Sequence, residues 1–133
     1  MAGETSLSTL IRSMTPVLNE GAYVFCSLSD AAQLQGVQPL GSFQEREGLS
    51  VILSRQQAEQ LQLEIGYVAA WLTLEVHSAL AAVGLTAAVA GALANAGISC
   101  NVIAGYYHDH LFVAYTDGPR ALAILQQLAN ATE

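Results

Sequence analysis

The chain carries one order of elements twice. Gly21-Ala-Tyr-Val-Phe-Cys26 and Gly97-Ile-Ser-Cys-Asn-Val102 each open on glycine and run on as apolar, extended sequence, and each begins the strand pair of a helix, strand, strand, helix series. The second strands start at Gly48-Leu-Ser-Val51 and His110-Leu-Phe-Val113, so the first copy is longer by the loose segment between Ser29 and Gly48. Few residues match between the copies; it is the element order that repeats. With the run Tyr67 to Val76 counted once, the chain reads αββα, β, αββα. The second copy plus that strand is the split βαβ unit of a ferredoxin-like sandwich without its last strand, and the first copy lacks its leading strand. The expectation is an α+β fold, a βαββαβ sandwich made of two incomplete halves, residues 1–66 and 67–133. Such halves share strands within the chain or exchange them with another subunit, because an unpaired apolar edge invites association.

Local patterns place these elements. Leu7, Leu10, Ile11 and Met14 fall at helical spacing from Ser6 onward, and Pro16 stops that helix. Ala22 to Leu28 and Leu49 to Leu53 read as strands, and Ser54 with Gln57 forms a capping box for a helix that Gly66 closes. Tyr67 to Val76 is the longest strand, with Val68, Ala70, Leu72, Leu74 and Val76 on one face. Leu85 to Ala96 is an Ala-rich helix in which Gly91 costs about 1 kcal/mol relative to Ala, ended by Asn95 and Gly97 as a left-handed cap. Ile98 to Ala104 and Leu111 to Tyr115 are strands, and Asp117-Gly-Pro119 supplies an N-cap and a first-turn proline for a last helix to about Asn130. No closing strand follows it.

Composition then narrows the function. Eleven acidic residues against four basic give a formal charge of −7, a field that repels phosphate backbones, so nucleic acid is excluded as a partner. Only 11% of the residues are charged and 53% are hydrophobic. A small domain has much surface to cover, so charge this scarce implies burial against another copy, a homo-oligomer. The start, Met-Ala-Gly-Glu-Thr, holds no basic segment followed by an apolar one, and the expected location is the cytoplasm. Ser78 to Tyr107 contains no Lys, Arg, Asp, Glu or His, but it is built of Ala and Gly and broken by Asn95, Gly97, Ser99 and Asn101; no membrane role is expected. Cys26 and Cys100 sit in alternating apolar runs and read as small core side chains.

The strings His77-Ser-Ala-Leu-Ala-Ala-Val-Gly-Leu-Thr-Ala-Ala88 and Gly97-Ile-Ser-Cys-Asn-Val-Ile-Ala-Gly-Tyr-Tyr-His-Asp-His-Leu-Phe-Val113 closely resemble the ACT domain family. The likeness is to small stand-alone bacterial proteins with two ACT-like halves. It is strongest over residues 67–130 and extends through element order and Gly48-Leu-Ser-Val-Ile-Leu53 over the rest. The resemblance implies a regulatory sensor of small molecules, usually amino acids, bound where two ACT units meet. It also implies the contacts: the loop between first strand and first helix, here His77, Ser78, Val83, Gly84, Leu85 and Thr86, and backbone of the second strand, here Asn101, Val102 and Ile103.

Elementary chemistry points to the same loop. Gly84 before Leu85 and Thr86 lets a ligand approach N–H groups at a helix start, where a carboxylate gains from hydrogen bonds and from the macrodipole. A plainer alternative is that Gly84 only fits a tight turn and Thr86 caps the helix.

Gly105-Tyr-Tyr-His-Asp-His110 holds two of the three histidines. Two imidazoles rarely make a metal site, and His77 is the one other candidate, so neither metal nor cofactor is expected. The favoured reading is a hairpin connection with Asp109 at the turn and Tyr106 and Tyr107 packed or at an interface; Tyr106, Tyr107, His108 and His110 are also positioned to line a ligand pocket. No nucleophile stands with a credible base: Ser78 beside His77 is adjacency in sequence, and Glu45 and Glu47 read as a solvated edge. The expected function is a non-catalytic regulatory binding module for an amino acid. The competing reading is a structural adaptor for another protein, with the Gly84 loop empty.

Overall fold

Pro16 does more than stop a helix: it sits inside a strand absent from the sequence reading. The computed structural model describes residues 6–76 and 83–132. In chain order the elements are α1 (Leu7–Ser13), β1 (Thr15–Leu18), β2 (Tyr23–Leu28), a 3-10 turn (Ala31–Leu34), β3 (Gly41–Gln44), β4 (Leu49–Ser54), α2 (Arg55–Gln60), β5 (Val68–Glu75), α3 (Leu85–Asn95), β6 (Cys100–Ala104), β7 (Asp109–Ala114), a second 3-10 turn (Tyr115–Asp117) and α4 (Gly118–Ala131). Packing divides the chain into two units, one of residues 1–20 with 70–133 and one of residues 21–69. That grouping differs from halves cut at 66/67, because α1 and β1 pack with the C-terminal part of the chain.

In the larger unit the strand order is β1, β5, β7, β6. β1 pairs antiparallel with β5 from Thr15↔Glu75 to Leu18↔Leu72, and β6 pairs antiparallel with β7 from Cys100↔Val113 to Ala104↔Asp109. The split βαβ series β5, α3, β6, β7, α4 therefore receives its missing last strand from the chain's own beginning. Pro16 is compatible with that place because β1 is an edge strand, paired with β5 alone, and a proline's lost N–H is tolerated at an edge. The helices lie on one face of these strands: Leu10, Leu72, Leu74, Val89, Leu93, Leu111, Val113 and Leu125 are all at most 1% exposed and form one cluster. Each such side chain contributes about 1.5–3 kcal/mol of transfer free energy on burial. α3 ends as its sequence foretells. Gly97 takes φ 76°, its N–H reaches Ala94 O, and Ile98 N–H reaches Leu93 O, the paired bonds of a Schellman cap. Asp117 departs from expectation: its side chain caps nothing and instead pairs with Arg120 at 3.3 Å, while Arg120 Nη1 also donates to Ala96 O.

In the smaller unit the order is β3, β4, β2 and then Val68 and Ala69 at the start of β5. β2 is thus this unit's leading strand, so the first copy does not lack one. The segment read as loose carries β3 and the first 3-10 turn, whose N-cap Asp30 and Gln33 form a capping box; a helix of four residues stands where the other unit has α3. Ser54 and Gln57 cap α2 reciprocally, as expected. Val24, Leu28, Val51, Leu53 and Ala58 make this unit's core.

Candidate functional site

α3 begins at a glycine because the backbone must pass through φ 100° there, a region that suits a residue without a β-carbon. No side chain among the described residues caps this helix; Gly84 O accepts from Ala88 N–H at 2.9 Å, and Thr86 is exposed and caps nothing. The first-turn N–H groups of α3 have no partner within the helix, and such a helix start is a place where an anion is favoured. Of the other residues expected at this loop, Leu85 is 4% exposed and points into the core, Val83 is 81% exposed, and His77 and Ser78 lie outside the described residues. One contact was not foreseen: Leu7 of α1 covers Gly84 on the side where a side chain would stand, with its Cδ2 3.1 Å from that position.

β6 is an edge strand of its unit. Val102 turns toward the core that holds Leu85, while Asn101 and Ile103 are exposed and Ile103 faces His110 across the β6–β7 ladder.

The stretch Gly105 to His110 closes a hairpin. Gly105 N–H donates to His108 O at 2.9 Å, so the turn is Gly105 to His108, and Asp109 is the first residue of β7, paired with Ala104. Asp109 is not at the turn because the hairpin closes one residue earlier than its turn-forming chemistry suggests. Tyr106 and Tyr107 are 76% and 65% exposed and meet edge to face at 4.9 Å. His110 folds onto β5: Trp71 Nε1 donates to His110 Nδ1 at 3.1 Å, and Thr73 Oγ1 lies 3.3 Å from the same nitrogen. Burial pushes the His110 pKa down, His108 pushes it the same way, and Asp109 opposes them; burial pushes the Asp109 carboxyl up, and His110 opposes it. Nδ1 of His108 is buried without a hydrogen-bond partner among the described residues, and no group of three or more His, Cys, Asp or Glu side chains converges among them. His108, in the turn, and His110, on β7 against Trp71 and Thr73, therefore occupy different surroundings.

Glu45 and Glu47 belong to the exposed β3–β4 turn, where Glu45 accepts from Ser50 Oγ. Burial raises the pKa of both Cys26 and Cys100, in keeping with packing roles. In the smaller unit a groove of about 290 Å³ runs beside β2, lined by Phe25, Cys26, Ser27, Leu63, Glu64 and Gly66. None of the expected ligand contacts lines it. Among the described residues no helix is long and apolar enough to cross a membrane.

Two models of the ACT domain family match in tandem, one over residues 2–70 and one over residues 67–127. The chain belongs to the ACT domain family. A solved structure similar to this chain is a protein of unknown function from Vibrio cholerae, described as a possible transport protein; it is 46% identical over 94% of this chain and 97% of its own, with a TM-score of 0.85. More distant structures share the fold. A protein from Agrobacterium tumefaciens is 20% identical over 87% of this chain and 89% of its own, with a TM-score of 0.65. The regulatory subunit of aspartate kinase from Thermus thermophilus is 11% identical over 89% of this chain and 97% of its own, with a TM-score of 0.62. Comparison with curated proteins gives no match.

Within this ACT chain the sequence found Gly84 through its place before an Ala-rich helix. It gave no sign of Leu7 over Gly84 or of Trp71 on His110, since both contacts join residues far apart in sequence.

Proposed function

We propose that this chain is a non-catalytic regulatory module that binds a free amino acid and works as a cytoplasmic homo-oligomer. The observation that carries this reading is the tandem ACT match, one over residues 2–70 and one over residues 67–127. The likeness to regulatory subunits of aspartate kinase supports a sensing role. The ligand's carboxylate sits at the start of α3, held by N–H groups at Leu85 and Thr86, with Val83 and Gly84 beside it; His77 and Ser78, expected contacts too, lie outside the described residues. Asn101, Val102 and Ile103 of β6 contribute backbone contacts, and Tyr106, Tyr107, His108 and His110 border the site. Support comes from the positive φ of Gly84, a helix start that no side chain among the described residues caps, and the exposure of Thr86.

Thermal unfolding with each of the free amino acids tests the proposal. A ligand at a hundred times its dissociation constant adds about 2.7 kcal/mol of stability, a plain rise in midpoint. A protein that none of them stabilises is instead a structural adaptor.

A further inference from the structure

The face of the larger unit turned away from its helices carries a chain of polar groups, Asn19, Thr73, Trp71 and His110, of which the ligand reading names His110 alone. Asn19 follows β1, donates from its backbone N–H to Trp71 O at 2.9 Å, and donates from Nδ2 to Thr73 Oγ1 at 2.9 Å. Thr73 is only 7% exposed. Its oxygen accepts from Asn19, which leaves its own hydrogen to point at His110 Nδ1, 3.3 Å away. The second group aimed at Nδ1 is the indole N–H of Trp71, at 3.1 Å.

An indole nitrogen donates and never accepts. His110 Nδ1 must therefore hold a lone pair, and the imidazole is neutral with its proton on Nε2. Protonation at Nδ1 would set N–H against N–H. Thr73 can rotate its hydroxyl and accept, since an oxygen with two lone pairs serves both Asn19 and His110. Trp71 has no such alternative, so its bond to His110 is the one that breaks.

What that bond holds in place is the end of the β6–β7 hairpin. The His110 ring lies over Gly105, close enough that a β-carbon there would stand 3.1 Å from Nε2, and Gly105 opens the turn that displays Tyr106 and Tyr107. We propose that His110 is a proton-operated latch: neutral, it ties the hairpin end to Trp71 and Thr73 on β5; protonated, it releases Trp71 and frees the turn bearing the two tyrosines.

The charges around the latch set its working range. On its own strand Asp109 favours the protonated form, and from the turn His108 opposes it. On β5, Trp71 and Thr73 carry no charge and Glu75 lies exposed further along the same face; on β6, Asn101 and Ile103 carry none. After β1, Asn19 is neutral and Glu20 is exposed; at the tip, Tyr107 and His108 have ring centres 6.4 Å apart. Half-burial of the ring adds to the preference for the neutral state, so release occurs below the ordinary imidazole value of about 6.5.

Trp71 is the chain's one tryptophan, so its fluorescence reports this contact directly. A pH titration of the intact protein, with far-UV circular dichroism followed in parallel, should give one emission change with a midpoint below that value while secondary structure holds. His110→Asn keeps an acceptor near the Nδ1 position and cannot titrate, so its emission should stay flat. His108→Asn should move the midpoint up and Asp109→Asn should move it down. Nitrogen NMR of the unaltered protein at pH 8 should show Nε2 protonated and Nδ1 bare. A proton on Nδ1 at that pH, an emission change that persists in His110→Asn, or one that merely follows loss of secondary structure overturns the latch.

Discussion

Leu7 on α1 lies across Gly84 at the start of α3, with its Cδ2 3.1 Å from where a β-carbon on Gly84 would be. Two constraints meet at that glycine: a backbone at φ 100° and a neighbour occupying the side-chain direction. Gly84→Ala is expected to lower stability by about 1–3 kcal/mol, most of it from backbone strain. Leu7→Ala in the same chain should recover only the steric part, because the leucine tip is flexible and the strain is not. Urea midpoints of the two single variants and the double variant check this; a Gly84→Ala protein as stable as wild type would show that the loop adopts another conformation.

It follows that substitution of Gly84 is a poor probe of ligand binding, since it disturbs the fold as well. Thr86 is the better position, being exposed and capping nothing. Thr86→Ala should change stability by less than about 0.5 kcal/mol, as surface substitutions do. Thr86→Pro would remove one of the amides proposed to hold the carboxylate, near a helix start where proline is tolerated. The stabilising effect of the amino-acid ligand should fall sharply in the proline variant and persist in the alanine one; equal stabilisation of both moves the site elsewhere.

Leu10 is fully buried in the core of the unit that contains residues 70–133. Leu10→Ala should cost about 2–5 kcal/mol, the range for deleting a buried leucine side chain down to its β-carbon. Amide exchange should locate the loss: protection of α3, α4 and β7 should fall by more than that of β2 and β4. The opposite pattern would return α1 to the N-terminal half.

The grouping of α1 and β1 with the C-terminal part was beyond reach of the sequence for a physical reason. β1 is four residues long and contains Pro16, so it shows neither the length nor the alternation by which strands are read, and its identity as a strand comes from β5 alongside it. β3 hides in the same way, as Gly41-Ser-Phe-Gln44 with mostly exposed side chains. Elements that bury a full face were legible. The two faces of β5, the stripe Leu85, Val89 and Leu93 of α3, and the Ser54 to Gln57 capping box all follow from local pattern. At the site, the glycine at the helix start was legible because a positive φ selects for that residue. The Trp71 to His110 bond was not, because no local rule connects residues 39 apart in the chain.

Ser54 joins β4 to α2, accepting from Gln57 N–H at 3.1 Å while Gln57 Oε1 accepts from Ser54 N–H at 3.1 Å. Ser54→Ala is expected to cost about 1 kcal/mol, the usual value of an N-cap. Gln57→Ala should cost less, since it leaves the N-cap oxygen in place. Chemical denaturation of the two variants tests the order; a larger loss in Gln57→Ala would assign the helix start to another contact.

Asp109 provides a test of charge in the β6–β7 hairpin. Burial raises its carboxyl pKa from the ordinary 3.8, with an opposing pull from His110. A folded-state pKa above the unfolded one means that the folded chain holds the proton more tightly. The resulting contribution to stability is complete below the ordinary carboxylate value and disappears as pH rises through the folded value. Above the folded value Asp109 is ionised in a half-buried place, and the folded state is weaker for it. Asp109→Asn, which keeps the shape and removes the charge, should therefore raise the unfolding midpoint at pH 7 and lose that advantage near pH 3. His110 has the reverse dependence, because its folded pKa is lowered. Its contribution is whole above about 6.5, the unfolded imidazole value, and is lost as pH falls through the folded one. The two residues thus respond to pH with opposite sign, and midpoints of Asp109→Asn and His110→Asn recorded beside wild type at pH 3, 5 and 7 tell them apart. An Asp109→Asn protein less stable than wild type at pH 7 would mean that the carboxylate is held by favourable charge interactions that outweigh its burial.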